Sequence, residues 1–128
     1  MKVKAWVDAS PGEACVVFED GRWFSASLPG CNTNNEAEYK AVIFGLLKAK
    51  ELGVELDEVF SDSQLVVRQL NGEYKVREKR LERFVEAIWV ETEAKYQRVG
   101  KLLRLKQQGR IKFSWVPREE NRAGRLLE

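Results

Sequence analysis

Three acids stand where an unpaired carboxylate is costly: Asp8, Glu38 and Asp62. Helical spacing puts Glu38 on one face with Ala41, Val42, Gly45 and Ala49. Such a small apolar face packs closely on a sheet, where an ionised glutamate without a partner is strongly disfavoured. Asp8 and Asp62 each stand where a stretch with strand character runs out, and neighbouring strand ends would bring them together. Three carboxylates meeting there would repel unless divalent cations neutralised them. The chain has no histidine, and its two cysteines form no CxxC pair, so oxygen ligation of Mg²⁺, or of Mn²⁺, is the chemistry indicated. Plainer readings stand beside this one. A helix dipole or a lysine would also satisfy Glu38, and an aspartate after a strand often serves as a turn or helix cap. Glu36 has its own explanation, because Thr33-Asn-Asn-Glu36 has capping-box spacing.

The elements that must position these acids follow from periodicity. Lys2 to Asp8 alternates as a strand with Val3, Ala5 and Val7 on one face. Ala14–Phe18 and Trp23–Leu28 flank Asp20-Gly21, a dipeptide suited to a hairpin turn, so three antiparallel strands are expected at the N-terminus. A long helix follows the Asn/Thr cluster at 32–35 and ends near Leu52, with Gly53 as its cap. Glu58–Ser61 reads as a buried strand leading into Asp62, and Ser63–Leu70 as a short helix stopped by Asn71-Gly72. From Val76 to Gln108, Leu81, Val85, Ile88, Tyr96, Val99 and Leu103 recur at three- and four-residue steps, which predicts amphipathic helix with a bend at Gly100. Such a helix would extend roughly 48 Å, so two helices or a projecting arm are both open. Trp89 is expected in the core or an interface. Ile111–Val116 reads as a fifth strand ended by Pro117, and Glu119–Leu127 as a short terminal helix.

The length of 128 residues fits one domain, 1–128, and 44% hydrophobic residues can fill its core. No apolar run is long enough to span a membrane and the first residues lack a signal-peptide pattern, so no membrane association and a cytoplasmic location are expected, with both thiols reduced. Charge is segregated: residues 1–74 carry 12 acids and 7 bases, residues 75–128 carry 8 acids and 15 bases. The halves are thus −5 and +7, as expected if one region gathers cations and the other meets a polyanion, although a solvated helix face looks similar.

Four segments, Thr33-Asn-Asn-Glu-Ala-Glu-Tyr39, Ser61-Asp-Ser-Gln-Leu-Val66, Gln69-Leu-Asn-Gly-Glu-Tyr-Lys75 and Trp115-Val-Pro-Arg-Glu-Glu-Asn121, together resemble type 1 ribonuclease H in sequence and order. With Asp8 on the first strand, the resemblance covers nearly the whole chain apart from about 84–108, and it looks closest to the compact archaeal-like branch. It implies an α/β fold, the ribonuclease H-like fold, in which a five-stranded mixed sheet carries helices on both faces. It also implies endonucleolytic hydrolysis of the RNA strand of RNA/DNA hybrids, and it implies no particular protein partner. Asp8, Glu38 and Asp62 match the metal-binding acids. In the mechanism so implied, two Mg²⁺ ions about 4 Å apart straddle the scissile phosphate, and Asp8 bridges both. Thr33, Asn34, Asn35 and Gln64 match positions that contact the substrate backbone and minor groove, a task suited to amides that can both donate to and accept from a 2′-hydroxyl. For Thr33, helix capping is an equal alternative.

Three departures from the family pattern matter. Where the family carries a fourth acid, in a pattern like Asn-x-x-Ala-Asp, this chain has Gly124. That implies a weakened metal site, or a hybrid-binding module that cuts poorly, unless Glu120, Asn121 or Glu128 substitutes. The chain also has no histidine to shuttle protons, which leaves Arg118 as a candidate to assist product release. Finally, Lys95–Lys112 holds seven Lys/Arg and no acid, and it is longer than in compact members. It reads as a substrate arm or as a solvated basic face. A protein-interaction domain derived from the fold remains a third alternative to enzyme and binding module.

Overall fold

A computed structural model describes residues 2–30 and 33–127. Its strands β1 (Lys2–Ser10), β2 (Glu13–Phe18) and β3 (Trp23–Ser27) form an antiparallel meander, with Asp20-Gly21 in the turn between β2 and β3. Helix α1 (Asn34–Leu52) then carries the chain over the sheet to β4 (Glu55–Ser61). After α2 (Gln64–Leu70) and α3 (Lys79–Glu91) come β5 (Lys95–Val99), β6 (Leu102–Gln107) and β7 (Lys112–Trp115). The main sheet has the order β3-β2-β1-β4-β7, with β4 parallel to both β1 and β7. The mixed five-stranded sheet with three antiparallel N-terminal strands is therefore present as expected.

Local signals explain the boundaries of α1. The Thr33 hydroxyl accepts the Glu36 N–H at 3.1 Å, and Gly53 closes the helix in the left-handed conformation with its N–H directed to Ala49 and Lys50 carbonyls. The Glu36 carboxylate, however, pairs with Lys40 at 3.6 Å, so only the Thr33 half of the capping box is seen among the described residues. Ala41, Val42, Gly45 and Ala49 are all buried against the sheet. A β-carbon at Gly45 would fall 2.9 Å from Val7 Cγ1, so glycine is what lets α1 lie this close to β1.

All three α-helices contribute to one large core with Ala5, Val7, Val16 and Phe18 of the sheet. Trp89 is buried there, and its indole N–H donates to the Leu70 carbonyl at 2.9 Å. The opposite face of β1 and β2 carries a smaller cluster of Cys15, Val17 and Ala123, with Trp6 and Leu127 packed on it. Helical cover on that side is reduced to two 3-10 turns, Arg118–Glu120 and Gly124–Leu126, where a continuous helix over 119–127 was expected. The interruption is Asn121, which adopts extended backbone while its side chain is drawn into the protein. Cys15 is a buried free thiol, whereas Cys31 lies outside the described residues.

The largest correction concerns 76–108. Helix ends at Glu91, and β5 and β6 form a separate antiparallel hairpin turning at Gly100-Lys101. Thr92 turns its hydroxyl back onto the Ile88 carbonyl, and Glu93 takes the left-handed conformation at φ 62, which stops the helix. The returning chain is pinned where Arg110 N–H donates to the Thr92 carbonyl, beside Gly109, at which any β-carbon would collide with Thr92 backbone. Tyr96 faces Leu105, and Arg98 faces Leu103, across the hairpin. Tyr96 and Leu103, which recur at helical steps, therefore also share one face of a ribbon, with Val99 on the other.

Enlarging the contact at Gly45 tests the tight seating of α1. Gly45→Leu is expected to cost about 2–3 kcal/mol through overpacking against Val7 and Val16, lowering Tm in thermal unfolding by on the order of 10 °C; an unchanged Tm would show that the helix can lift without loss.

Candidate metal centre

Asp8 sits on β1 opposite Cys15 of β2. On the other side of β1, the parallel register pairs Trp6 with Phe60, which carries Asp8 and Asp62 to equivalent rungs at adjacent strand ends. Glu38 reaches the same place from the second turn of α1. One carboxylate oxygen from each of the three acids lies within 4.8 Å of the others. Asp8 is buried, while Glu38 and Asp62 are half-buried.

The electrostatics of this group are unfavourable without a cation. Burial, then the charges of Asp8 and Asp62, push the Glu38 carboxyl from its ordinary 4.5 up to about 9. Burial, and then Asp62, also raise Asp8, partly offset by the Ala9 N–H and the positive charge of Arg118. Glu38 Oε2 is enclosed and has no hydrogen-bond partner. No lysine or arginine forms an ion pair with any of the three among the described residues; Lys40, the nearest lysine in sequence to Glu38, is engaged with Glu36. The lysine explanation of Glu38 thus lacks a partner among the described residues. An orphaned buried oxygen within a set of hard oxygen donors fits a divalent cation, and Asp8, Glu38 and Asp62 are the residues that would hold it.

The amide residues flank the acids in chain order. Asn34 and Asn35 lie one turn before Glu38 on α1, and Gln64 begins α2 two residues after Asp62. Asn34 and Gln64 are exposed, Asn35 is half-buried, and their side chains make no hydrogen bond among the described residues. Thr33 is committed to capping. Arg118 is exposed at the start of the first 3-10 turn.

Two contacts that hold the acids in place were not read from the sequence. Asn121, with no exposed surface, donates from Nδ2 to the Val7 carbonyl at 2.9 Å and to Asp62 Oδ2 at 3.2 Å. Its Oδ1 accepts the Ala123 N–H at 3.1 Å, so the amide orientation is set by its neighbours. Asn121 therefore links the strand bearing Asp8 to Asp62 instead of supplying a ligand oxygen. Trp115 adds a second brace, its indole N–H donating to the Asp62 carbonyl at 3.1 Å. The sequence offers Asn121 only as a substitute for the fourth acid and Trp115 only through its place in the Trp115–Asn121 segment, and neither marks a contact.

Gly124 also faces this centre. A β-carbon there would lie 3.0 Å from Asp8 Oδ2, so the position points at the acids but carries no group to join them. Glu120 is exposed and does not belong to the carboxylate group, while Glu128 lies outside the described residues.

Comparison with known proteins gives this geometry a family. A family model described as reverse transcriptase-like matches residues 13–127. A bifunctional protein of Mycobacterium tuberculosis is 37% identical over 92 residues, which is 72% of this chain and 22% of that protein. The chain thus spans about a fifth of the length of the mycobacterial relatives it matches. Ribonuclease HI of Halobacterium salinarum is 38% identical over 78 residues, 61% of this chain and 36% of that protein. Among solved structures, an RNase H1 obtained from compost, in complex with an RNA/DNA hybrid, superposes with a TM-score of 0.76 at 33% identity, covering 98% of this chain and 93% of that one. RNase H1 of Halobacterium salinarum gives a TM-score of 0.72 at 30% identity, covering 98% and 94%. With the family model spanning residues 13–127 and the fold shared with solved RNase H1 structures, the chain belongs to the type 1 ribonuclease H-like family.

Proposed function

We propose that this chain is a ribonuclease H that hydrolyses the RNA strand of RNA/DNA hybrids, with Mg²⁺ as its metal and Asp8, Glu38 and Asp62 as ligands and catalytic acids. The observation that carries the reading is the gathering of three carboxylates within 4.8 Å around an oxygen of Glu38 that has no partner. The likeness to a ribonuclease HI and to an RNase H1 in complex with an RNA/DNA hybrid supports it. Divalent cations bound there supply Lewis acidity, activating water as nucleophile and neutralising charge that builds on the phosphate. The chain's own residues do the rest. Asn121 and Trp115 hold Asp62 in register with Asp8, so the ligands are arranged before substrate arrives. Asn34, Asn35 and Gln64 keep free amides beside the acids, able to meet 2′-hydroxyls and groove edges without reading sequence. Arg118 places a positive charge near Asp8, suited to a departing phosphate end.

A second reading is favoured by Gly124: a module of the same fold that holds hybrids but cuts them slowly. The missing carboxylate lies beside Asp8 and leaves the cation with fewer protein oxygens on that side.

Two outcomes decide between these readings, and a third tests the burial of Glu38 on which both rest. Labelled hybrid incubated with Mg²⁺ is expected to yield RNA fragments, and Glu38→Gln to slow this by about 100-fold or more, since even outer partners of metal ligands cost about 10–100-fold; a folded wild-type sample that yields no product in Mg²⁺ or Mn²⁺ would overturn the enzyme reading. Gly124→Asp is expected to raise cleavage by roughly tenfold or more and to lower the Mg²⁺ concentration required, and an unchanged rate would show that the fourth acid is not limiting. The third is a pH dependence of metal-free stability. Folded Glu38 retains its proton up to about pH 9, whereas the unfolded chain releases it near 4.5, so Glu38 destabilises the fold progressively as pH rises through that window. Wild type should lose Tm relative to Glu38→Gln between those limits, with Mg²⁺ reducing the loss; parallel Tm curves would contradict the assigned burial.

A further inference from the structure

Apart from Arg118, the basic residues of the C-terminal half are not used by the metal centre. On the inner face of the β5–β6 hairpin, Tyr96 tilts against Trp89, its hydroxyl donates to Glu86, and Arg98 pairs with Glu82, which docks the ribbon on α3. Lys95, Lys101, Arg104 and Lys106 remain exposed and form no ion pair among the described residues. The loop before α3 adds Lys75 and Arg77, likewise exposed and free of ion pairs among the described residues. Lys75 and Arg104 line one cleft of about 370 Å³ between loop and hairpin, with the half-exposed Tyr74 beside them and Glu73 as the acid on its wall. Loop and hairpin therefore form one continuous basic belt.

Its position follows from α2. That helix begins two residues after Asp62 and spans about 10 Å before handing the chain to the loop at Gly72. A duplex turn measures about 34 Å, so the belt begins within a fraction of a turn of the carboxylates. The partner is set by charge: unneutralised cations spread along a ribbon suit a regularly spaced polyanion, and a flexible Lys/Arg surface reads phosphate without sequence preference. We propose that the β5–β6 hairpin, with Lys75 and Arg77, is a second contact for the phosphate backbone of the same duplex that lies at Asp8, Glu38 and Asp62. The proposal rests on the ribonuclease H reading for the identity of that duplex. It turns a basic surface into an anchor that holds the substrate while the metal centre acts.

The test is binding in EDTA, where cleavage is absent, to an RNA/DNA hybrid and to a DNA duplex, each of about 20 base pairs, followed by fluorescence anisotropy across a salt series. The quadruple variant Lys95→Gln/Lys101→Gln/Arg104→Gln/Lys106→Gln is expected to bind both duplexes about tenfold or more weakly, with the slope of log K against log salt reduced by about three, from up to four lost phosphate contacts. Lys101→Glu alone, at the exposed turn, should weaken binding in the same direction with Tm unchanged, which separates contact from folding. Unchanged affinity and slope in both variants would overturn the proposal. So would intact duplex binding combined with loss of binding to phosphatidylserine vesicles, which would make the partner a lipid surface. Hairpin-dependent duplex binding by a wild type that cleaves no hybrid would sink the ribonuclease reading and leave this one standing; hybrid cleavage by a quadruple variant whose duplex affinity and salt slope match wild type would do the reverse.

Discussion

Mutual repulsion among Asp8, Glu38 and Asp62 is the constraint around which the rest of the molecule is arranged. Their oxygens lie within 4.8 Å in a partly desolvated corner, where carboxylates resist sharing full charge. Metal-free, the group relieves this by keeping a proton on Glu38. With a divalent cation the same closeness becomes affinity, because cation binding replaces both the proton and the repulsion. The cost of the arrangement is met by a rigid scaffold: a parallel strand pair sets Asp8 beside Asp62, and the close seating of α1 at Gly45 brings Glu38 in from a third element.

The C-terminal segment completes that scaffold in an unusual balance. Asn121 ties the strand bearing Asp8 to the Asp62 carboxylate, and Ala123 closes a small core on the far face of β1 and β2. Arg122 lies over the Trp6 ring at 4.6 Å and helps hold the segment down. Three residues beyond Asn121, Gly124 faces Asp8 with nothing to offer a metal. The segment thus braces three converging acids, while Gly124 beside Asp8 adds no fourth carboxylate. The buried Cys15 thiol opposite Asp8 adds no ligand either, as burial, then Glu13 and Asp8, push it up to about 11.

Charge is divided between two tasks. Three of the twelve acids of the first half meet at the carboxylate group, and seven of the fifteen bases of the second half lie on the hairpin and the loop before α3. For the duplex proposed as substrate, this division would mean attraction along the belt and repulsion at the acids unless cations neutralise them.

Much of this was legible in the sequence because it rests on local rules. Alternation in Lys2–Asp8, the capping chemistry of Thr33 and Gly53, and the turn at Asp20-Gly21 place strands and helix almost where they occur. The three acids could be singled out because Glu38 stood on an apolar face. The Tyr96–Leu103 pattern, in contrast, serves a helix and a ribbon equally well, and pairing Tyr96 with Leu105 and pinning Gly109 against Thr92 are contacts that only the folded chain makes. Asn121 was similarly silent: its side-chain bond to Val7 spans 114 residues, and no local periodicity reports a partner that distant. Residue types and spacing determined what chemistry was available; tertiary packing decided which groups are buried, orphaned or joined, because those properties depend on neighbours brought together across the chain.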